Sequence, residues 1–372
     1  MKRIIVIFGG ASPEHDVSII TGVLCLNGLD KTKFIPVPLY VTKTGEWFTG
    51  EKLSKLGFYK AFDKRKLKRV FLVPGENVLK SYKNNKTLFA VHGAINCMHG
   101  GMGENGTIAG LFELCNIPCA TTDAFSARIA MDKLLTKTAS RLLGVNVVDY
   151  LAVKRADFYG DYEKVYKAVQ SELGFPVIVK PNGTGSSIGI TVARSKVELF
   201  RSLTVALKYD EKAVVEKYIA NFTEVNCAAY YKDGTVLVSE LEKPLSEHDI
   251  LTFVDKYSGG KGDVKKREFP AKVSKKISDE VKAVTKKFYT AYEFSSIIRA
   301  DYIIDGETVY LNEINSVPGS LAYYLFYDTV SGLTDLLTDL LKEAKRLNVI
   351  KNSKETDYSS DILSFKGVAL KK

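Results

Sequence analysis

Short apolar runs, glycine-rich loops and amphipathic stretches alternate along this chain. Residues 3–8 (RIIVIF) are almost wholly apolar and predict a buried strand. The loop Gly9-Gly10-Ala11-Ser12-Pro13-Glu14 follows, and a helix is predicted over 17–26. Residues 34–40 and 87–97 predict two further strands. The second runs into His99-Gly100-Gly101-Met102-Gly103-Glu104-Asn105-Gly106 and a helix over 107–115. Repeated strand, glycine loop and helix predict an open α/β domain over 1–122. Residues 47–85 are polar and Lys-rich and predict little.

Beyond residue 122 the pattern changes. A helix is expected over 124–143, a strand over 147–154, a helix over 161–173 and a strand over 175–180. A second glycine-rich loop, 182–189, leads back into strand at 190–193, making a small central unit over 123–208. The span 209–346 predicts strands at 213–219, 223–231, 235–241, 297–304 and 308–314, with helices at 273–292 and 331–346. Residues 347–372 read as a polar tail. The fold class expected is α/β, α+β over the whole chain.

Composition is ordinary for a globular protein, 45% hydrophobic and 26% charged over 372 residues. The five cysteines are scattered, and Cys115 and Cys119 have no second pair or histidine to complete a zinc set. Reduced thiols in a cytoplasmic protein are the expectation. The chain opens directly into a short strand, which predicts neither a secretory leader nor a membrane span. The net charge of +10 suits nucleic acid or a polyanionic small molecule. The basic clusters lack interleaved aromatics and nucleic-acid module signatures, so a nucleotide-like substrate is favoured.

The chemistry concentrates in 299–320, RADYIIDGETVYLNEINSVPGS. Two β-prone runs flank Asp305-Gly306, a hairpin signal. Arg299 and Asp301 share one face of the first strand, and Glu313 and Asn315 share one face of the second. A three-residue connection would put all four on a common face, with the carboxylates diagonal at roughly 7–8 Å. A two-residue Asp305-Gly306 turn would put the two pairs on opposite faces. On a common face, Asp301, Glu313 and Asn315 offer oxygen ligands for one or two Mg²⁺ ions, which bind through carboxylates plus substrate phosphates.

The loop Asn182-Gly183-Thr184-Gly185-Ser186-Ser187-Ile188-Gly189 can wrap a phosphate chain with its backbone N–H groups. It also contains G-x-S-x-G, the nucleophile elbow of serine hydrolases. That motif needs a helix after it, and here Ile190-Thr191-Val192 continues as strand, so a phosphate lid is expected. Lys180 ends the preceding strand, where a lysine either neutralises a phosphate or stands in solvent, and Lys133 on the preceding helix is a weaker candidate. The segment 243–272 is long enough to be an active-site lid, with Lys256 and Tyr257 at its base. Glu14, His99 and Glu104 lie on loops after strands, where open sheets bind ligands.

Taken in order, FGGASPEHDVS (8–18), HGGMGENG (99–106), MDK (131–133), VIVKPNGTGSSIG (177–189), VEKYI (215–219), DKY (255–257), RADY (299–302) and NEINSVPGS (312–320) resemble the D-alanine–D-alanine ligases of the ATP-grasp family. The resemblance implies ATP held between the central and C-terminal units. Lys133 and Lys180 would meet its phosphates, Glu216, Lys217 and Ile219 the adenine, and Glu224 the ribose. Asp301, Glu313 and Asn315 would hold two Mg²⁺ ions, with Mn²⁺ able to substitute. Glu14 would bind the ammonium of the first D-alanine, and Ser186 and Tyr257 would join it in ordering a closed lid. Lys256 would reach the transferred phosphate, and Arg299 and the Gly319 N–H would form an oxyanion site. ATP and D-alanine are the implied small-molecule partners, with no nucleic acid or membrane, and a homodimer is implied. Three departures stand out: Asn105 in place of an acidic residue, one extra residue between Glu216 and Glu224, and Tyr324 in place of a serine at the acceptor end. The last leaves D-serine, D-lactate or another amino acid open as acceptor.

Overall fold

The computed structural model describes residues 1–245 and 267–358. The apolar run at the N-terminus forms β1 (Lys2–Gly9), an interior strand of an eight-stranded sheet. Its partners are β2 (Phe34–Val41), β3 (Trp47–Thr49), β4 (Lys68–Val73), β5 (Glu76–Ser81), β6 (Thr87–Ala90), β7 (Gly93–Asn96) and β8 (Cys119–Ala120), in the order β6-β5-β4-β3-β2-β1-β7-β8. β1 pairs in parallel with β2 and β7, whereas β3 to β6 add an antiparallel extension. The polar stretch 47–85 therefore contributes strands that periodicity did not reveal. The single strand expected over 87–97 is two strands on different parts of the sheet. Strand alternation splits β1 between two cores. Ile4, Val6 and Phe8 pack with helix α1 (His15–Gly28), whereas Ile5 and Ile7 pack with helix α2 (Thr107–Leu114).

The helix expected over 124–143 is broken into α3 (Ala124–Met131) and α4 (Lys133–Leu142). Asp132 breaks it: its backbone is extended and its carboxylate caps the Leu135 N–H at 3.1 Å. β9 (Tyr150–Lys154), α5 (Arg155–Gly160), α6 (Tyr162–Glu172), β10 (Val177–Pro181), β11 (Thr191–Ala193), α7 (Lys196–Ala206) and β12 (Lys212–Lys217) follow. Their strands form an antiparallel sheet in the order β11-β10-β12-β9. β12, placed with the C-terminal unit by sequence pattern, thus pairs in the central sheet.

The last large sheet has the order β14-β13-β17-β18, from β13 (Thr223–Lys232), β14 (Thr235–Val238), β17 (Ile298–Asp305) and β18 (Thr308–Asn315). A separate ribbon pairs β15 (Lys243–Pro244) with β16 (Arg267–Glu268). Helix α8 (Lys275–Ala291) covers the four-stranded sheet, with Val281 and Phe288 against Tyr302 and Leu311. Helix α9 (Val330–Asn352) runs past the expected end at 346. Its Leu333, Leu336 and Leu340 join the core beneath β1 and α1. The turn 319–325 enters that same core. Ser320, Leu321 and Ala322 are all left-handed there, a conformation costing roughly 1–2 kcal/mol per residue. Burial of Leu321 and Ala322 and a Ser320 N–H to Thr21 hydroxyl bond at 3.2 Å hold it in place.

Candidate active site

The β17–β18 pairing differs from both registers considered for the hairpin. Asp305 faces Thr308 around a two-residue Gly306-Glu307 turn, and Tyr302 faces Leu311. A bulge then leaves Asn312 as the extra residue, so Asp301 faces Glu313 and Arg299 faces Asn315 directly. The carboxylates are therefore opposed rather than diagonal, and all four groups share a face. Arg299 grips Asp301 with two parallel bonds of 2.7 Å, and the Asn315 amide donates to Asp301 at 3.1 Å. Burial works against the charge of Arg299, but the Asp301 carboxylate outweighs it.

Two lysines approach this pair from the central unit. The first turn of α4 has unpaired backbone donors, and Asn182 of the glycine-rich loop meets two of them. Its carbonyl accepts from Lys133 N–H at 3.1 Å and its side chain from Leu134 N–H at 3.0 Å. That docking brings the Lys133 ammonium to the Thr184 carbonyl at 2.5 Å and to Glu313 at 3.8 Å. Lys180 donates to Glu216 at 2.8 Å and to Asn312, the bulged residue, at 3.0 Å. Lys137, one turn after Lys133 and wholly buried, reaches the other oxygen of Glu216 at 3.1 Å. Burial raises the Glu216 carboxyl, but the Lys137 and Lys180 ammonium groups more than reverse this and leave it at about 2. Burial pushes Lys137 down, against the pull of Glu216.

The N-terminal loops close the other side. The Ser186 hydroxyl donates to the Glu14 carboxylate across 172 residues of chain. Gly100 and Gly185 permit this approach. A Cβ on Gly100 would lie 2.6 Å from the Glu14 carboxylate, and one on Gly185 3.0 Å from it. Glu104 accepts from Gly100 N–H at 2.7 Å and from Val317 N–H at 3.2 Å, tying the loop after β7 to the segment after β18. Burial and the neighbouring Glu14 raise its carboxyl to about 8. His99 meets Thr21 at 2.8 Å. Burial, with the nearby Arg299 charge, holds its imidazole at about 4. Glu14, Ser186, Glu104, Arg299, Gly319 and Tyr324 all line one cavity of about 390 Å³.

Glu224, on β13, lines the same cavity, as do Glu313 and Asn315. Lys217 is exposed at the end of β12, and Ile219 sits in the connector beyond it. The Glu216 side chain points between two lysines, so only its backbone is left to face a base edge. Lys256 and Tyr257 lie outside the described residues. The segment Gly185–Gly189 leads into β11 rather than a helix, so the nucleophile-elbow context is not met. Sequence pattern missed Lys137, Asn312 and the docking of α4 by Asn182. The one available signal was the four-residue spacing of Lys133 and Lys137 on a helix.

Known proteins resemble this chain over nearly its whole length. Residues 3–122 match the family model for the D-ala D-ala ligase N-terminus, and residues 140–342 match that for the C-terminus. The chain is 32% identical over 371 residues to the D-alanine–D-alanine ligase of Thermosipho melanesiensis, covering 98% of this chain and 99% of the relative. It is 30% identical to that of Thermosipho africanus, covering 97% of each. Among solved structures it resembles the D-alanine–D-alanine ligase from Helicobacter pylori at 27% identity and TM-score 0.75, covering 92% of this chain and 98% of that one. It also resembles the VanG D-Ala:D-Ser ligase from Enterococcus faecalis at 25% identity and TM-score 0.76, covering 93% and 99%. With both family models matched in order along an ATP-grasp fold, this chain belongs to the D-alanine–D-alanine ligase family.

Proposed function

We propose that this chain is a cytoplasmic, ATP-dependent ligase that joins two D-alanine molecules for peptidoglycan synthesis, releasing ADP and phosphate. One observation carries the reading. The loop 182–189 is tied to α4 through Asn182 and to Glu14 through Ser186. A single lid thus spans the lysines suited to phosphate and the carboxylate suited to an amino-acid ammonium. In the first step a carboxylate oxygen of one D-alanine bonds to the γ-phosphorus of ATP, and the bond from that phosphorus to ADP breaks. In the second, the amine of the other D-alanine attacks the acyl phosphate. The tetrahedral intermediate then expels phosphate, and the amine's extra proton leaves.

Lys133 and Lys180 bind phosphate oxygens, since phosphoryl transfer is driven by positioning and charge rather than by a protein nucleophile. The connector at Glu216, Lys217 and Ile219 receives the adenine, and Glu224 the ribose. Glu14 orients the donor ammonium, and Arg299 and the Gly319 N–H receive the oxyanion. The lid excludes water that would hydrolyse the acyl phosphate. Asp301, Glu313 and Asn315 fit Mg²⁺ by donor chemistry: two opposed carboxylates and an amide at one end of a phosphate site. Two Mg²⁺ ions held there would neutralise charge on the transferred phosphoryl group. Lys256 and Tyr257 keep the roles implied by resemblance. The nucleotide lies between the central unit and the C-terminal unit in this reading, and a homodimer is its expected assembly.

A second reading keeps this mechanism and changes the acceptor to D-serine, D-lactate or another amino acid, on the observation that Tyr324 lines the cavity. Phosphate release with ATP, Mg²⁺ and a panel of D- and L-amino and hydroxy acids separates the two. Turnover with D-alanine alone is expected. Turnover only when a different acceptor accompanies D-alanine would replace the first reading with the second.

A further inference from the structure

Arg267 on β16 lines the cavity and lays its guanidinium over the Tyr324 ring, 4.8 Å from the centroid. It also stands 5.4 Å over Phe269 and makes a 3.3 Å ion pair with the buried Glu242. Arg299 faces the same phenol from the β17 side. The two arginines are not equivalent. Arg299 spends its planar fork on Asp301 through two bonds, whereas the bond from Arg267 to Glu242 uses a single nitrogen. A guanidinium has five N–H donors and no acceptor. Arg267, 40% exposed at its side chain, therefore presents further donors to the cavity from a position held by a carboxylate and two aromatic faces. That is a built site for a planar anion.

We propose that Arg267, held against Tyr324, binds the carboxylate of the acceptor amino acid and so sets acceptor specificity in this chain. The inference rests on the ligase reading and deepens it. The donor's carboxylate is consumed in the reaction, and its ammonium is met by Glu14, which lines the same cavity. The acceptor keeps its carboxylate throughout, so a fixed cation holds it while its amine faces the acyl carbon whose oxygen Arg299 and the Gly319 N–H receive. Tyr324 supplies the surface on which the guanidinium lies, which a serine would not.

The test is a competition between two acceptors. The enzyme is supplied with ATP, Mg²⁺, D-alanine and D-alaninamide, which has the acceptor amine but no carboxylate. The ratio of D-alanyl-D-alanine to D-alanyl-D-alaninamide is then measured. Wild-type protein should strongly favour the free acid. Arg267→Ala should lower that preference tenfold or more, with the KM for ATP within twofold, and Arg267→Lys should restore part of it. Tyr324→Phe, which keeps the ring, should change the ratio less than Tyr324→Ser. An unchanged ratio in Arg267→Ala, with the wild type active, would overturn this assignment alone. No condensation by the wild type would overturn the ligase reading and this inference together.

Discussion

At Glu216 two ammonium groups share one buried carboxylate, and at His99 a buried imidazole is held neutral. Both are residue-scale choices with consequences for pH. His99 is depressed from 6.5 to about 4 in the folded chain. Its contribution to stability is therefore present above 6.5 and is lost as pH falls through 4, about 3 kcal/mol in all. Urea midpoints across that window should fall with pH, and His99→Gln should fall less. Glu104 has the opposite sign. Raised to about 8 from 4.5, it favours folding below 4.5, and that share is lost as pH rises through 8. Glu313 makes a different residue-scale prediction. Glu313→Gln should cut kcat at least about 100-fold through lost charge neutralisation of the phosphoryl group, roughly 2.7 kcal/mol in barrier. The far-UV circular dichroism and melting temperature should stay near wild type; full activity in this variant would discredit the metal assignment.

Among the elements, the glycine-rich loop and the β17–β18 pair were partly legible in sequence. In loop 182–189 the glycines, serines and the strand on either side predict a phosphate lid. What it touches was not legible, because Ser186 and Glu14 are far apart in the chain. Gly185→Ala would place a methyl 3.0 Å from the Glu14 carboxylate. The KM for the first D-alanine should rise at least threefold, while the melting temperature stays within about 2 °C, since the loop lies outside the main cores. An equal rise in every KM would point to general damage instead. The bulge at Asn312 was hidden as well. Alternation predicts faces only while pairing is regular, and one extra residue reassigns every side chain beyond it.

For the whole molecule, three sheets and the helices around them bring 8–18, 99–106, 177–189 and 299–324 to one cavity, and 131–137 docks beside it through Lys133. Helix α9 packs onto the first core through Leu333, Leu336 and Leu340. A nucleotide bound between units stabilises the folded state by mass action, about 2.7 kcal/mol at one hundred times Kd. The melting temperature should therefore rise with ATP and Mg²⁺, and the Mg²⁺-dependent part of the rise should vanish in Glu313→Gln. No ligand-induced shift in the wild type would count against a nucleotide site between these units.

The order of motifs and their residue types were enough to indicate the ATP-grasp class and the oxygen-rich strand pair, and to propose Lys133 and Lys180 as phosphate ligands. These are local properties: glycine where the backbone must approach a ligand, β-branched residues in strands, carboxylates where charge is needed. The tertiary structure alone decided that Asn182 docks α4, that Lys137 and Lys180 flank Glu216, that Asn312 bulges, and that Arg267 lies on Tyr324. Each joins residues from separate elements. Such contacts follow from how sheets and helices pack, and nothing in the neighbouring sequence records which distant side chain will fill the facing position.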